Sequence, residues 1–149
     1  QIYSYCKNMD GLKNDVAEKA RTFILAEVGK TVDRNDLFRS TGHAYIQIAK
    51  NEPHIFRMYL FQERKNVSSL DDIYCSETNP NVSRIIAENL NISISAAKRL
   101  HLNMLIYTIG IGTIYSVTSS SISEAEIFNQ QDLAYEAFLK QALEDNRNE

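Results

Sequence analysis

The sequence Leu100-His-Leu-Asn-Met-Leu-Ile-Tyr-Thr-Ile-Gly-Ile-Gly-Thr-Ile-Tyr-Ser-Val117 is apolar on every face when it forms a helix. No charged residue stands anywhere between Arg99 and Glu124. A helix on the surface of a soluble domain has a polar side toward water instead. This helix therefore has to be covered on more than one side.

Three environments would cover such a helix. A transmembrane span is one, because an uncharged run of about 18 residues meets the length criterion, although His101, Asn103 and Thr108 would be costly in lipid. The centre of a monomer is another, but so small a domain has few helices to surround it. The third is a position shared between its own core and a second copy of the chain, which buries an otherwise exposed apolar surface. We favour the third, and we expect a homodimer and no membrane.

The composition favours one compact domain made of helices. The chain has 149 residues and 44% hydrophobic content, which is enough for a single core. Gly and Pro are scarce and Trp is absent, whereas strong helix formers such as Leu, Ala, Glu and Lys are frequent. The fold class that we predict is all-α, an antiparallel bundle of about six helices.

Charge and cysteine content restrict the partners and the location. The formal net charge is -3, so the chain has no overall attraction for nucleic-acid phosphates. Cys6 and Cys75 are far apart and form no Cys-x-x-Cys motif, and no N-terminal signal sequence is evident. We therefore expect a cytoplasmic protein with two buried or inert thiols.

Apolar residues recur every three to four positions along most of the chain, as they do on the buried side of a helix. Residues 64–78 are the exception, because charged and small polar residues dominate there. We expect a mobile connection with about one turn of helix in that segment. Helices are predicted at about 9–28, about 35–50, shortly after Pro53, and at about 80–90, 94–118 and 124–146.

Capping residues mark several of the predicted helix ends. Asn8 is placed to cap the first helix, and Gly29 is placed to end it. Ser93 precedes the long apolar helix, and Ser123-Glu-Ala-Glu126 is a capping box before the last helix.

The last two helices are predicted to form the dimer interface. Gly110 and Gly112 each cost helix propensity of roughly 1 kcal/mol relative to Ala, which is reasonable where another helix backbone approaches closely. The last helix has two adjacent apolar stripes, so two helices from each copy would make a four-helix interface about a two-fold axis. The residues that we expect there are His101, Leu105, Ile109, Gly112, Phe128, Tyr135 and Phe138.

The first sixteen residues are typical of the end of one helix, a turn and the start of another. Their Tyr3-x-Tyr5-Cys-Lys-Asn-x-x-x-Leu12 pattern resembles the junction in TetR-like (TetR/AcrR) transcription regulators where the DNA-recognition helix ends and the connecting helix begins. Cys6 and Met9 depart from the pattern, because the family usually has Phe and Lys there.

The long apolar helix extends the resemblance. Ile106-Tyr-Thr-Ile-Gly110 resembles the apolar segment with glycine in the penultimate helix of that family. The order of the predicted helices also resembles the family's regulatory domain over nearly the whole chain.

The resemblance implies a function in transcription regulation. Residues 1–8 would be the end of a helix-turn-helix region, with Tyr3 and Tyr5 at the DNA, and the helices upstream would be missing from this chain. Residues 9–149 would be a regulatory domain that dimerises and binds a small hydrophobic or amphipathic effector. Effector binding would reposition the connecting helix and so change the spacing of the two DNA-binding heads. DNA would be contacted only through the missing helix-turn-helix.

The helices after the connecting one would surround the effector. The candidate residues combine apolar bodies with a few polar tips, as is usual for small-molecule cavities. They are Tyr45, Phe56, Tyr59, Met104 and Tyr107. Ordinary core packing is the alternative for each of them, and for the whole chain the alternative is a helical protein-interaction or dimerisation module with no small-molecule ligand.

No pattern indicates catalysis or a metal. The chain has no Gly-x-Ser-x-Gly, phosphate-binding loop or His-Glu-x-x-His motif. His43, His54 and His101 are predicted on three different helices and do not have metal-ligand spacing. We expect no enzyme activity, no metal site and no cofactor.

Overall fold

The computed structural model describes residues 9–118 and 121–149, and within those ranges it contains seven α-helices and no strand. The prediction of an all-α fold is confirmed. Tyr3, Tyr5, the predicted cap Asn8 and the predicted boundary after residue 8 lie outside the described residues. The helices are α1 (Met9–Gly29), α2 (Leu37–Asn51), α3 (Pro53–Leu60), α4 (Leu70–Glu77), α5 (Pro80–Leu90), α6 (Ile94–Val117) and α7 (Glu124–Arg147).

Helix α4 is longer than the sequence predicted: about one turn of helix was expected within a mobile connection over residues 64–78, and the structure has an eight-residue helix there. Ser69 accepts a hydrogen bond from the Asp72 N–H at 3.1 Å. Asp71 and Asp72 stand in the first turn, where the helix dipole favours negative charge. Tyr74 is buried and anchors the helix. A cap, two carboxylates and one buried ring thus order a segment that has few apolar residues.

Hydroxyl caps begin the last two helices, as predicted. Ser93 accepts from the Ala96 N–H at 3.0 Å, and Ser123 accepts from the Glu126 N–H at 3.1 Å. Asn91 ends α5 at φ 52°, in the left-handed region that asparagine tolerates. The chain therefore passes from α5 into α6 within residues 91–93.

Three groups of buried side chains hold the helices together. The first joins α1, α2 and α3, the second joins α5, α6 and α7, and the third joins α2, α6 and α7. Helices α2, α6 and α7 contribute to two groups each, so they connect the three groups. Representative buried members are Ile24, Ile48 and Phe56 in the first group, Ile86, Leu100 and Ala142 in the second, and Ile46, Tyr115 and Ile127 in the third.

The long apolar helix α6 has a buried side and an exposed side. Leu100 and Met104 are buried, whereas Ile106, Ile114 and Val117 are 49%, 56% and 60% exposed. The interpretation of α6 as a helix surrounded by its own domain therefore does not hold within the described chain. In the same ranges α6 is the one helix that is long and apolar enough to cross a membrane, by length and composition alone.

The two glycines of α6 have different surroundings. A Cβ on Gly112 would lie 2.7 Å from Cζ of the buried Phe56 ring, so α3 packs closely against α6 there. A Cβ on Gly110 would meet nothing within 4 Å. Gly110 stands at four-residue spacing between Ile106 and Ile114, on the exposed side. The chain's own core explains Gly112, whereas it does not explain Gly110.

Candidate ligand-binding cavity

A cavity lies between α2, α3 and α6. Its volume of about 60 Å³ is room for a few water molecules and is below the roughly 300–1000 Å³ of a usual small-molecule site. We call it the inner chamber. Its wall is mostly aromatic and apolar, with hydroxyl and imidazole groups in between, and it includes Phe38, Thr41, Tyr45, Phe56, Tyr59, His101, Met104 and Thr108.

Four of the five residues predicted to surround an effector line the inner chamber, namely Tyr45, Phe56, Tyr59 and Met104. The fifth, Tyr107, packs against Phe138 of α7 instead, edge to face with ring centroids 6.3 Å apart. Three positions turn a helix by about 300°, so Tyr107 points about 60° away from Met104. That rotation directs Tyr107 toward α7 and away from the chamber.

The α6 residues predicted at a dimer interface lie against the chain's own core. His101, Leu105 and Ile109 line the inner chamber, and Gly112 faces Phe56. The large apolar side chains that α6 exposes beyond its first turn are instead those at positions 106, 114 and 117.

The predicted interface rings of α7 also contact the chain's own core. The exposed large apolar side chains of α7 are instead Leu133 and Leu143. The ring pairs are Phe128 with His43 at 3.9 Å between centroids, Tyr135 with Phe38 at 5.1 Å, and Phe138 with Tyr107.

A buried carboxylate connects the inner chamber to α1. The Glu77 side chain is 4% exposed and accepts hydrogen bonds from the Tyr59 hydroxyl and from Arg64 Nε, the latter at 2.6 Å. Arg21 of α1 places Nη1 3.5 Å from the same carboxylate and donates from Nη2 to the Ser76 carbonyl at 2.9 Å. Two arginines from different segments therefore balance the Glu77 charge, and a residue of the chamber wall shares it.

Burial and charge set the ionisation of this network. Burial alone would raise the pKa of Glu77, but hydrogen bonds from Tyr59 and Arg64 and the charges of both arginines hold that pKa below its ordinary value. Burial, followed by the hydrogen bond and charge of Glu77, raises the pKa of Tyr59 well above its ordinary value. Burial and the Glu77 charge likewise raise the pKa of Tyr45. Both phenols therefore keep their protons at neutral pH.

His101 lies in the chamber wall and is paired with Tyr74. The Tyr74 hydroxyl is 2.9 Å from His101 Nδ1, and the two rings meet edge to face with centroids 5.1 Å apart. Burial lowers the pKa of His101 to about 4, so the ring is neutral at pH 7. When Tyr74 donates to Nδ1, the proton of the neutral ring is on Nε2 and is free to be donated.

We predict that His101 makes the fold less stable in mild acid. The unfolded chain takes up a proton at His101 near pH 6.5, whereas the folded chain does so only near pH 4. The unfolded state therefore binds more protons between these values, and the free energy of unfolding falls by about 2 kcal/mol from pH 7 to pH 5. Urea unfolding at both pH values measures this loss.

His101→Gln tests the origin of that loss. Glutamine is able to keep a hydrogen bond to Tyr74 but does not titrate, so most of the difference between pH 7 and pH 5 is expected to disappear. His54→Gln, at an exposed side chain of α3, is the matched control and is expected to keep the difference. An unchanged pH dependence in His101→Gln would contradict the assignment.

A buried amide lies next to the inner chamber. Gln131 of α7 is 2% exposed and donates from Nε2 to Thr108 Oγ1 at 3.1 Å. Its Oε1 is buried and has no hydrogen-bond partner among the described residues. Gly42 makes space for the amide, because a Cβ there would lie 2.5 Å from Gln131 Nε2. Since an unsatisfied buried oxygen costs roughly 1–3 kcal/mol, Gln131 is a candidate for contact with a bound molecule.

The sequence-based prediction missed Glu77 and Gln131, for different reasons. Gln131 follows Ile127 by four positions and precedes Ala134 by three, so a polar residue on a buried stripe was a readable signal. Glu77 had no such signal, because it is one of several charged residues in a polar segment. Only the tertiary structure brings Glu77 next to Tyr59.

A wider groove of about 770 Å³ runs along α1 and α3. Its walls include Met9, Met58 and Phe61, which are 46%, 47% and 71% exposed. The polar residues of its wall are exposed or half-buried. The inner chamber is the stronger candidate for specific binding, because Tyr59 and Thr108 in its wall are buried and held by hydrogen bonds.

The structure shows no metal site in the residues that it describes, and comparisons with known proteins give no match. Across residues 9–118 and 121–149, no three His, Cys, Asp or Glu side chains are grouped as a metal ion would require. No protein-family model, no curated protein and no solved structure matches this chain.

Proposed function

We propose that residues 9–149 form the ligand-responsive regulatory domain of a TetR-like transcription regulator, with a small hydrophobic or amphipathic effector in the inner chamber. The observation that carries the proposal is the connection from the chamber to α1. Tyr59 lines the chamber and donates to Glu77, and Glu77 is paired with Arg21 of α1. By resemblance, α1 is the helix that carries the DNA-binding region, which is the part that would contact DNA.

The mechanism needs only a difference in effector affinity between two positions of α1. A molecule that displaces the Tyr59 hydroxyl changes the hydrogen bonding of Glu77 and thereby the position that Arg21 prefers. Each 1.4 kcal/mol or so of difference in binding changes the ratio of the two positions about tenfold. Since the chamber holds about 60 Å³, an effector of ordinary size displaces wall side chains, and Tyr59 is one of them.

The exposed side of α6 supports the homodimer in this proposal. Ile106, Ile114 and Val117 form an apolar stripe with Gly110 in its middle, where a Cβ would meet open space. Leu133 adds an exposed apolar side chain on α7. A second copy packed on α6 and α7 removes this surface from water and gives Gly110 a reason to lack a side chain.

A dimerisation module without a small-molecule ligand is the second candidate function. The small volume of the inner chamber favours it. It shares the α6 and α7 interface with the first candidate but has no response to small molecules. The two functions therefore differ in ligand binding and not in oligomeric state.

Thermal unfolding in the presence of toluene, p-cresol or 3-phenylpropanol distinguishes the two functions. A probe bound to the folded state at 100 times its Kd stabilises that state by about 2.7 kcal/mol and raises the Tm by roughly 5–10 °C. We expect at least one probe to do this and to change the hydrogen exchange of the α1 amides. Failure of all three, at concentrations near their solubility limits, would favour the second candidate.

The Ile109→Phe variant tests whether the probe binds in the inner chamber. The larger side chain fills the inner chamber from α6 and is expected to remove both the Tm shift and the change in α1 exchange. Leu25→Phe, at an exposed position of α1, is the matched control and keeps both. A probe that still binds the Ile109→Phe variant with unchanged affinity lies elsewhere, which would contradict the assignment of the chamber.

A further inference from the structure

A second cavity adjoins the inner chamber on the side of α7. We call it the outer chamber; its volume is about 220 Å³. Phe38 and Met104 belong to the walls of both chambers, so their side chains form a partition between them. The volumes of the two chambers together approach the lower end of the roughly 300–1000 Å³ that small-molecule sites occupy.

The partition also contains the buried amide. Thr108 lines the inner chamber, Gln131 lines the outer one, and the hydrogen bond between them runs from one wall to the other. Gln131 Oε1 is a hydrogen-bond acceptor with no partner among the described residues. Because this oxygen is buried, a molecule that carries an N–H group satisfies it only after the side chains of the partition have moved.

The rim of the outer chamber is negatively charged. Arg39 pairs with Asp132 at 2.8 Å, and its charge also interacts with Asp36. Neither Asp36 nor Glu136 has an ion-pair partner within 4 Å in the described ranges, so the rim keeps an excess of negative charge. Asp132 and Glu136 are four residues apart on α7, where like charges repel each other. Asp36 stands at the start of α2 and its side chain makes no capping hydrogen bond. A positive charge in the outer chamber would relieve this excess of negative charge.

We propose that the two chambers are the two ends of one site for an elongated cationic amphipath. Its apolar body occupies the inner chamber, and its ammonium group lies in the outer chamber, donates to Gln131 Oε1 and is attracted by Asp36 and Glu136. This inference rests on the proposed function, because it specifies the chemical class of the effector for the same site. Phe38 and Met104 are the side chains that move when the site is occupied.

Three probes of one shape test the inference: 3-phenylpropylamine, 3-phenylpropanol and 3-phenylpropionate. Titration calorimetry at pH 7 is expected to give at least tenfold tighter binding for the amine than for the alcohol, and weaker binding still for the carboxylate. The ¹³C resonance of the Met104 methyl reports occupancy at the partition, and that of the exposed Met58 methyl serves as the reference.

Variants of the carboxylates and of Gln131 measure how much each contributes to binding of the amine. Asp36→Asn combined with Glu136→Gln is expected to bring the affinity for the amine within about twofold of that for the alcohol. Glu18→Gln combined with Glu88→Gln removes the same charge from exposed positions elsewhere and is expected to leave the preference intact. Gln131→Leu removes the acceptor Oε1 together with the hydrogen bond to Thr108, and it is expected to weaken binding of the amine about tenfold.

The outcomes distinguish this inference from the proposed function. If the alcohol shifts the Met104 methyl but the amine binds no better, the inner chamber binds ligands and the cationic site is overturned. A preference for the amine that survives the Asp36 and Glu136 substitutions also overturns it. If none of the three probes binds, the inference is lost, and the effector site of the proposed function is lost with it only if toluene and p-cresol also fail to raise the Tm.

Discussion

Glu77→Ala lowers the free energy of unfolding by about 3 kcal/mol. The substitution leaves the Tyr59 hydroxyl, Arg64 and Arg21 without their shared acceptor. Removing one partner of a buried ion pair typically costs roughly 3–5 kcal/mol, because the remaining charge is desolvated and unpaired. The loss expected for Glu77→Ala lies at the lower end of this energy range. The reason is that the side chains of Arg21 and Arg64 are 29% and 23% exposed and are able to reach water.

Urea unfolding at pH 7 measures this loss. Glu77→Gln keeps the shape and one acceptor oxygen, so its loss is expected to be smaller than that of Glu77→Ala. Glu88→Ala, at an exposed position of α5, is the matched control and is expected to change the free energy of unfolding by no more than about 0.5 kcal/mol. A Glu77→Ala variant as stable as the Glu88→Ala variant would mean that the network contributes nothing.

The contribution of Glu77 to the free energy of unfolding changes with pH in a direction that its pKa shift determines. Because the pKa of Glu77 is lower in the folded chain, its contribution to stability is present above the ordinary glutamate pKa and is lost as the pH falls through the folded value. In the Glu77→Gln variant, the free energy of unfolding is therefore expected to fall less steeply over that range of acidic pH. The His101 contribution is lost at higher pH, between about 6.5 and about 4, so the two residues are separable in one pH series.

Helix type and helix ends were largely predictable from the sequence, because they depend on local chemistry. The Ser93 and Ser123 hydroxyls are local caps, and their spacing to the next apolar residues is visible without a structure. Helix α4 was not predictable from its apolar content, because much of its order comes from Tyr74, which is buried against other helices. Local patterns do not contain such long-range contacts.

The direction of side chains around α6 was harder to predict than the helix itself. A helix without charged residues has no polar stripe to show which side faces water, so residues 101, 105, 109 and 112 were expected to face a partner. In the structure these positions face the chain's own core, and the exposed apolar ones are about 140° round the helix. Polar residues that need partners, such as His101 and Thr108, are the better guide to the buried side.

Ile106→Glu combined with Ile114→Glu converts the proposed dimer into a monomer. In a symmetric dimer both isoleucines of each copy leave water, and burial of one such side chain is worth about 1.5–3 kcal/mol. Their loss and the added negative charges raise the Kd for self-association at least ~100-fold. Sedimentation over a dilution series measures the Kd, and far-UV circular dichroism checks that the helices are kept.

Met58→Glu combined with Phe61→Glu is the matched control for that experiment. Both residues are about as exposed as the two isoleucines or more so, but they line the groove along α1 and α3. This pair is expected to leave the Kd unchanged, since loss of apolar surface as such is not what dissociates the dimer. A wild-type chain that is monomeric at about 100 µM, or that stays in solution only with detergent, would contradict the interface. The detergent result would instead favour a lipid environment for the exposed side of α6, which is long and apolar enough to cross a membrane.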